Sequence, residues 1–235
     1  MMNTTILHDI PFKIKTDSLM KRLRIEKGSS HEDDFMRLVE EALTIGKPKA
    51  LYKVVYIDSK SDDHVVINGI TLKSRVLRVN LEEVHRVFPF VATCGQELED
   101  WARSMDDILL RFWAESINEA VIRLAVKAMD ENIDEQYRPG KRSMMTPGSL
   151  TDWPIEEQQT LFKILGNTKD AIGVYLTDGL MMIPTKSVSG ISFPTEWDFE
   201  SCQLCPREKC PGRRAPYDKD LYDKRYRPTS SIEDH

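Results

Sequence analysis

The chain has no run of about eighteen apolar residues, the length a membrane-spanning helix requires, so no membrane association is expected. Neither common glycine-rich phosphate loop is present. No GxGxxG follows a strand-like segment, and GxxxxGK[ST] does not occur, so a nucleotide held on a Rossmann-type or P-loop turn is excluded. The five histidines, at positions 8, 31, 64, 85 and 235, never approach metal-ligand spacing. No Ser-His-Asp or Cys-His nucleophile arrangement stands out. The N-terminus lacks the basic-then-apolar layout of a secretory leader, and a cytoplasmic location is the expectation. Excess positive charge is missing too. Lys and Arg number 33 against 38 Asp and Glu, a net charge of -5, which argues against a general nucleic-acid binder.

What remains is an ordinary globular composition, 40% hydrophobic and 30% charged over 235 residues, enough to bury one core. One domain over residues 1–235 is expected, with 194–235 a loop-rich, cysteine-containing C-terminal wrap. Ser30 followed by Glu32 and Asp33 reads as a helix start, with Phe35, Leu38, Val39 and Ala42 at helical spacing and a stop near Gly46. Ala50 to Ile57 and Val87 to Thr93 read as strands. Asn68-Gly69 between two apolar runs is a hairpin signal, because both turn residues tolerate positive φ. From Gln96 to Asn132 the pattern is helical, with a break expected near Met105. Leu98, Trp101, Met105, Ile108, Leu109, Phe112, Trp113, Ile117, Ala120, Val121, Leu124 and Ala128 form one apolar stripe read as core. Asp152-Trp153-Pro154 predicts a further helix over Ile155 to Leu165 ending at Gly166. Strands are expected around Val174 and Ile191. Hairpins without βαβ alternation predict an α+β fold with a twisted, mainly antiparallel sheet.

The four cysteines are Cys94, Cys202, Cys205 and Cys210, three of them within nine residues. In a reducing compartment that clustering points to metal or redox chemistry. Four thiolates suit either a structural zinc or an iron–sulfur cluster, with Arg207, Lys209, Arg213 and Arg214 offsetting their charge. The alternative is reduced free thiols on a surface loop. From Arg207 to Arg227 eight basic residues face four acidic ones, with Tyr217, Tyr222 and Tyr226 interleaved. A solvated or partner-facing segment is the expected reading, ahead of single-stranded nucleic acid.

The most distinctive stretch is Leu176-Thr177-Asp178-Gly179-Leu180-Met181-Met182-Ile183-Pro184-Thr185-Lys186-Ser187-Val188-Ser189-Gly190. It reads as a strand, a turn and a second short strand ending in Ser-Val-Ser-Gly. Ser187 and Ser189 share one strand face, where their hydroxyls either line a groove or satisfy a turn. Upstream, Pro147-Gly148 forms a bend at which a backbone can approach a ligand closely. The fifteen-residue stretch resembles the signature of the activation domain of cobalamin-dependent methionine synthase, Leu-Thr-Glu, Met-x-Pro, Ser-Val-Ser-Gly, in a stand-alone form. Leu176, Thr177, Met182, Pro184, Ser187, Val188, Ser189 and Gly190 match without insertion, and Asp178 replaces the glutamate.

That resemblance implies an S-adenosylmethionine site at an Arg-x-x-Pro-Gly-Tyr segment. Here Pro147 and Gly148 remain, Met144 stands at the arginine position and Ser149 at the tyrosine position, and Arg142 is the nearby cation able to replace the lost arginine. Arg142, Pro147, Gly148, Ser149, Ser187, Ser189 and Gly190 are thus the expected ligand-binding residues. No catalytic acid or base is expected. The resemblance further implies a corrinoid-carrying methyltransferase or methionine synthase as partner. The partner holds cobalamin, its cob(II) form is reductively remethylated from S-adenosylmethionine, and an electron donor such as a flavodoxin or ferredoxin takes part. The cysteine cluster is an addition to the family pattern. Two other readings are a metal-cluster redox protein and a non-catalytic scaffold, each acting on a corrinoid protein without S-adenosylmethionine.

Overall fold

The computed structural model describes residues 3–210 and 212–228. In chain order the elements are β1 (Asn3–Leu7), α1 (Thr16–Leu23), α2 (Ser30–Ile45), β2 (Lys49–Lys60), β3 (His64–Ile67), β4 (Ile70–Lys73), α3 (Arg75–Asn80), β5 (Arg86–Thr93), α4 (Gln96–Arg103), α5 (Ile108–Tyr137), β6 (Arg142–Met145), α6 (Glu157–Leu165), α7 (Thr168–Ile172), β7 (Tyr175–Leu176), β8 (Met182–Ile183) and β9 (Ser187–Pro194). The fold is α+β. Seven strands form one sheet in the order β4-β3-β2-β5-β9-β6, with β1 on the same edge of β2 as β3. Every pairing is antiparallel. β7 and β8 make a separate two-stranded ribbon.

Both sheet faces are covered. On one face Tyr52, Phe88, Phe90 and Ala92 pack with apolar residues of α1, α2, α4 and α5. On the other, Leu51, Val55, Val87, Val91, Ile191 and Phe193 pack with α3, α6 and α7, and with Phe199 and Tyr226. Double burial explains why β5, Arg-Val-Phe-Pro-Phe-Val-Ala-Thr, is almost continuously apolar although its pairings are antiparallel. Pro89, which has no N–H to donate, sits where the β2–β5 ladder is interrupted between Tyr52↔Phe90 and Val55↔Val87.

The caps follow the local chemistry. Ser29 caps α2, its hydroxyl accepting from Glu32 N–H at 3.3 Å, one residue earlier than the sequence suggests. Asn68 and Gly69 both adopt positive φ, 54° and 70°, as the two-residue hairpin requires. The long helical stretch breaks between Arg103 and Ile108. Asp107 caps the new helix by accepting from Leu109 and Leu110 N–H at 2.7 and 2.9 Å, and Arg111 Nη2 donates to the Arg103 and Met105 carbonyls at 3.1 and 2.7 Å. The apolar stripe departs from expectation at this corner. Ile108, Leu109 and Phe112 are exposed, and the buried face of α5 begins at Trp113 and continues through Ile117, Val121, Ala125, Met129 and Ile133. The cause is that α5 outruns the sheet, so its first turn has nothing to pack on. α6 starts at Glu157, three residues after Pro154, because Trp153 is first engaged in a turn with Leu150.

β9 lies between β5 and β6, pairing Gly190 with Phe90 and Ile191 with Met145. A Cβ placed on Gly190 would fall on the Met145 carbonyl oxygen, with Phe90 Cε1 and Thr146 Cγ2 each at 3.0 Å. Two of these obstacles belong to adjoining strands, so relief requires the strands to part. Gly190→Ala is expected to cost about 2 kcal/mol or more of unfolding free energy, read from urea denaturation. An unchanged midpoint would show that the sheet accommodates the methyl.

Candidate functional site

The Thr177 side chain organises the start of the signature. Its Oγ1 accepts from Met181 N–H at 3.1 Å, its N–H donates to the Met181 carbonyl at 2.9 Å, and the turn between them carries Leu180 at φ 64°. The Ile183–Pro184 peptide is cis. Ser-Val-Ser-Gly then opens a third strand, β9, and does not close the second as the sequence suggests. Lys186 anchors the approach: its ammonium pairs with Glu115 at 2.9 Å and its carbonyl accepts from Cys94 N–H at 3.0 Å.

A buried carboxylate, which the sequence reading overlooked, holds this approach from below. Glu99 on α4 is buried; its Oε2 accepts from the N–H of Thr185 and from Thr185 Oγ1 at 3.1 Å, while its Oε1 pairs with Arg103 at 2.5 Å. Glu99 is one of several acidic residues on an amphipathic helix, and nothing in its spacing distinguishes it.

The two halves of the expected site are neighbours, since Gly190 packs against Thr146, the residue before Pro147. The Pro147–Gly148 bend follows β6. Gly148 has φ +80°, its N–H donates to the Trp153 carbonyl at 2.8 Å, Ser149 N–H donates to the Thr146 carbonyl at 3.2 Å, and the Thr146 and Ser149 hydroxyls are hydrogen bonded to each other. A cavity of about 390 Å³ opens beside the bend. Its walls are Gly148–Thr151, Pro154–Glu156 and, from the C-terminal segment, Leu204–Pro206.

Gly148 and Ser149 line this cavity; Ser187, Ser189 and Gly190 do not. Ser187 satisfies a turn, donating to the Pro184 carbonyl at 2.6 Å. Ser189 points the other way from Val188, onto the face shared with Val91 and Ile191, and its buried hydroxyl finds no protein partner. Gly190 is reserved for the Met145 carbonyl. The serine strand is therefore the floor that fixes the bend, and the open groove lies on the far side of Gly148.

Arg142 is a correction. It stands on β6 with Met144, facing α5, and its guanidinium is committed. Nη1 pairs with Asp130 at 2.8 Å and donates to Ser192 Oγ at 2.7 Å, Nε pairs with Asp134 at 3.1 Å, and Nη2 donates to the Asp130 carbonyl at 2.9 Å. With its fork spent on α5, it supplies no cation to the bend. Glu156 is the charged residue of the cavity wall. Burial pushes the Asp130 carboxyl above the usual carboxylate range, and the Arg142 guanidinium pulls it part of the way back.

The cysteine expectation is also corrected. Cys94, at the end of β5, is fully buried on the α2/α5 face, whereas Cys205 packs against the core of the opposite face. The sheet separates them. Among the described residues no group of three or more Cys, His, Asp or Glu side chains can hold a metal ion. Burial, with the Glu99 carboxylate nearby, pushes the Cys94 thiol up to about 12. Cys202, Cys205 and Cys210 are half-buried. Part of the basic tail is tied down within the segment, while Arg207, Lys209, Arg214, Lys219, Lys224 and Arg227 remain exposed. Arg214 pairs with Glu200 at 2.8 Å, Arg225 lies 3.9 Å over the Trp197 ring, and Arg213 donates to the carbonyls of Cys202, Cys205, Arg207 and Ala215. No helix among the described residues is long and apolar enough to cross a membrane.

Two predictions test this geometry. Native reduced protein should titrate three thiols rapidly with an aromatic disulfide reagent at pH 8, the fourth, Cys94, appearing only after denaturation; four fast thiols would contradict the burial. Arg142→Met should cost about 2 kcal/mol at pH 7, below the range for a fully buried pair because Asp130 keeps a third of its exposure. The sign with pH follows from Asp130. A carboxyl whose folded value is raised contributes stability at low pH that is lost as pH rises through that value. Removing the guanidinium raises the folded value further, so the deficit should be largest at neutral pH and shrink toward pH 4. A deficit independent of pH would show that packing, not charge, dominates.

Residues 92–198 match the family model described as vitamin B12-dependent methionine synthase, activation domain. Among solved structures the chain is similar to a crystal structure of the MetH reactivation domain bound to AdoHcy, with 14% identity, 84% of this chain and 80% of that chain covered, and a TM-score of 0.59. No curated protein sequence matches. The matched segment takes in the last two residues of β5, the Cys94-Gly95 corner, the bend and the whole serine strand, so the resemblance read in the sequence holds: residues 92–198 are similar to the vitamin B12-dependent methionine synthase activation domain, and the chain has the fold of the MetH reactivation domain.

Proposed function

We propose that this chain reactivates a corrinoid-dependent methyltransferase, methionine synthase or a relative of it, and that it binds S-adenosylmethionine against the Pro147–Gly148 bend. The observation that carries the reading is the bend itself. Gly148 holds a positive φ beside a cavity of about 390 Å³, a size within the range of small-ligand sites, and Gly190 of the serine strand packs against Met145 and Thr146 just ahead of that bend. The donor set fits in part. Residues 148–151 line an adenosine-sized space, the Gly148 and Ser149 N–H groups being spent inside the bend on the Trp153 and Thr146 carbonyls, and Glu156 offers a negative charge to a ligand that carries a sulfonium and an ammonium.

S-adenosylmethionine supplies an electrophilic methyl group when bound. The work of this chain is positional. The 148–151 backbone orients the ligand, Leu150, Pro154 and Ile155 shape an apolar wall that limits water, and the open side leaves the methyl accessible to a second protein. The partner carries the cobalamin, and an external donor such as a flavodoxin or ferredoxin supplies the electron for reductive remethylation of the cob(II) form. No acid or base of this chain is needed for such a transfer. A specific interface with the corrinoid protein would bury about 1,200–2,000 Å² in total.

The commitment of Arg142 to α5 favours one other reading. Lacking a cation for the amino-acid carboxylate, the chain would clasp a corrinoid protein as a scaffold without binding S-adenosylmethionine. Titration calorimetry separates the two. Wild-type protein should bind S-adenosylmethionine, and Gly148→Val should weaken binding at least about tenfold, because a β-branched residue is strained at φ +80° and its Cβ would meet Ile155 Cδ1 at 3.0 Å. Circular dichroism confirms that the variant folds. No heat with the wild type, together with co-purification of a corrinoid protein, would establish the scaffold.

A further inference from the structure

Cys202 and Cys205 close one short turn. Residues Ser201–Gln203 form a 3-10 helix, and Cys205 N–H donates to the Cys202 carbonyl at 3.3 Å. An i to i+3 turn of this kind keeps the two Cα atoms within about 7 Å, the reach over which a disulfide can form. Both side chains are half-buried, in contrast to the enclosed Cys94. The turn is braced from outside. Arg213 donates to the carbonyls of both cysteines, at 3.0 Å for Cys202 and 3.1 Å for Cys205, and Arg214 N–H approaches Cys202 Sγ at 3.4 Å. Leu204, Cys205 and Pro206 are also the C-terminal wall of the cavity beside Gly148.

We infer that Cys202 and Cys205 are a reversible dithiol–disulfide pair, open to exchange with small disulfides, whose state is transmitted to the Gly148 cavity through its Cys205 wall. The exchange balances without a metal. One thiolate attacks a low-molecular-weight disulfide and releases one thiolate of the oxidant. The second cysteine thiolate then attacks the mixed disulfide and releases the other. Two electrons pass from the protein pair to the oxidant, and the two thiol protons go to solvent or to the released thiolates. The inference stands apart from S-adenosylmethionine binding, since its tests use neither that ligand nor a partner.

The test uses the full chain equilibrated in oxidised and reduced glutathione mixtures, quenched with iodoacetamide, and digested with trypsin. Cys202 and Cys205 fall in the peptide 187–207, while Cys210 lies beyond the cleavage sites at Arg207 and Lys209. Under oxidising mixtures that peptide should lose both alkyl groups and become lighter by about 2 Da than its unalkylated reduced form, reversibly. Cys202→Ser should instead leave a stable glutathione adduct on Cys205. Full alkylation at every ratio, or a bridge joining 187–207 to the Cys210 peptide, would overturn the pairing. Hydrogen exchange tests the coupling: amides of residues 148–151 should change their exchange at least about threefold between the two states, and identical exchange would overturn the link to the cavity.

Discussion

The approach of the Met145 carbonyl to Gly190 is the constraint on which the rest of the molecule depends. β9 pairs with β5 along Ser187–Ser192 and with β6 along Ile191–Pro194, and its middle, Ser189–Phe193, is buried. At Gly190 there is no room for even a methyl group. That contact sets how far β6 runs beside β9 before the chain turns, and so where Thr146 leaves the sheet and where the Pro147–Gly148 bend begins. On the other edge, the β5 pairing places Cys94 against the Lys186 carbonyl, and Glu99 on the following helix holds Thr185. Two loops far apart in sequence are thereby registered to one strand.

The chemistry of the site is mostly backbone. The cavity is lined by residues 148–151 and the Glu156 carboxylate, with the Gly148 and Ser149 N–H groups already spent on the Trp153 and Thr146 carbonyls and the Arg142 cation drawn away to brace α5 against the sheet. The C-terminal segment completes the cavity. Phe199 and Tyr226 enter the core of the α3/α6 face, so this segment is anchored by burial, and Arg213 holds the cysteine turn by its carbonyls. The segment does more than wrap the domain: it supplies one wall.

Much of the architecture was legible in residues. Ser29–Ser30 before Glu32, Asn68-Gly69 between apolar runs, the break near Met105 and the glycines after Ile45 and Leu165 each state their local geometry through caps, turns and allowed φ. The bend at Pro147–Gly148 was legible for the same reason. The roles of Arg142, Ser187 and Ser189 were not. A guanidinium two residues from a vacant arginine position looks available until α5 brings Asp130 and Asp134 to it, twelve and eight residues away in sequence. Alternation put both serines on one face correctly, but which face is open depends on what packs there, and α6 with the C-terminal segment closes it.

The cysteines mark the boundary most plainly. Four thiols with three in nine residues suggested one ligand set, and only the three-dimensional arrangement shows Cys94 on the opposite side of the sheet from Cys205. What the sequence by itself determined were the local conformations, the alternating burial of the strands and the family wording of residues 176–190, because these depend on neighbours along the chain. Which face each side chain shares, which charges are consumed and where a cavity remains were decided by tertiary structure alone, because those follow from contacts between segments that the chain order leaves far apart.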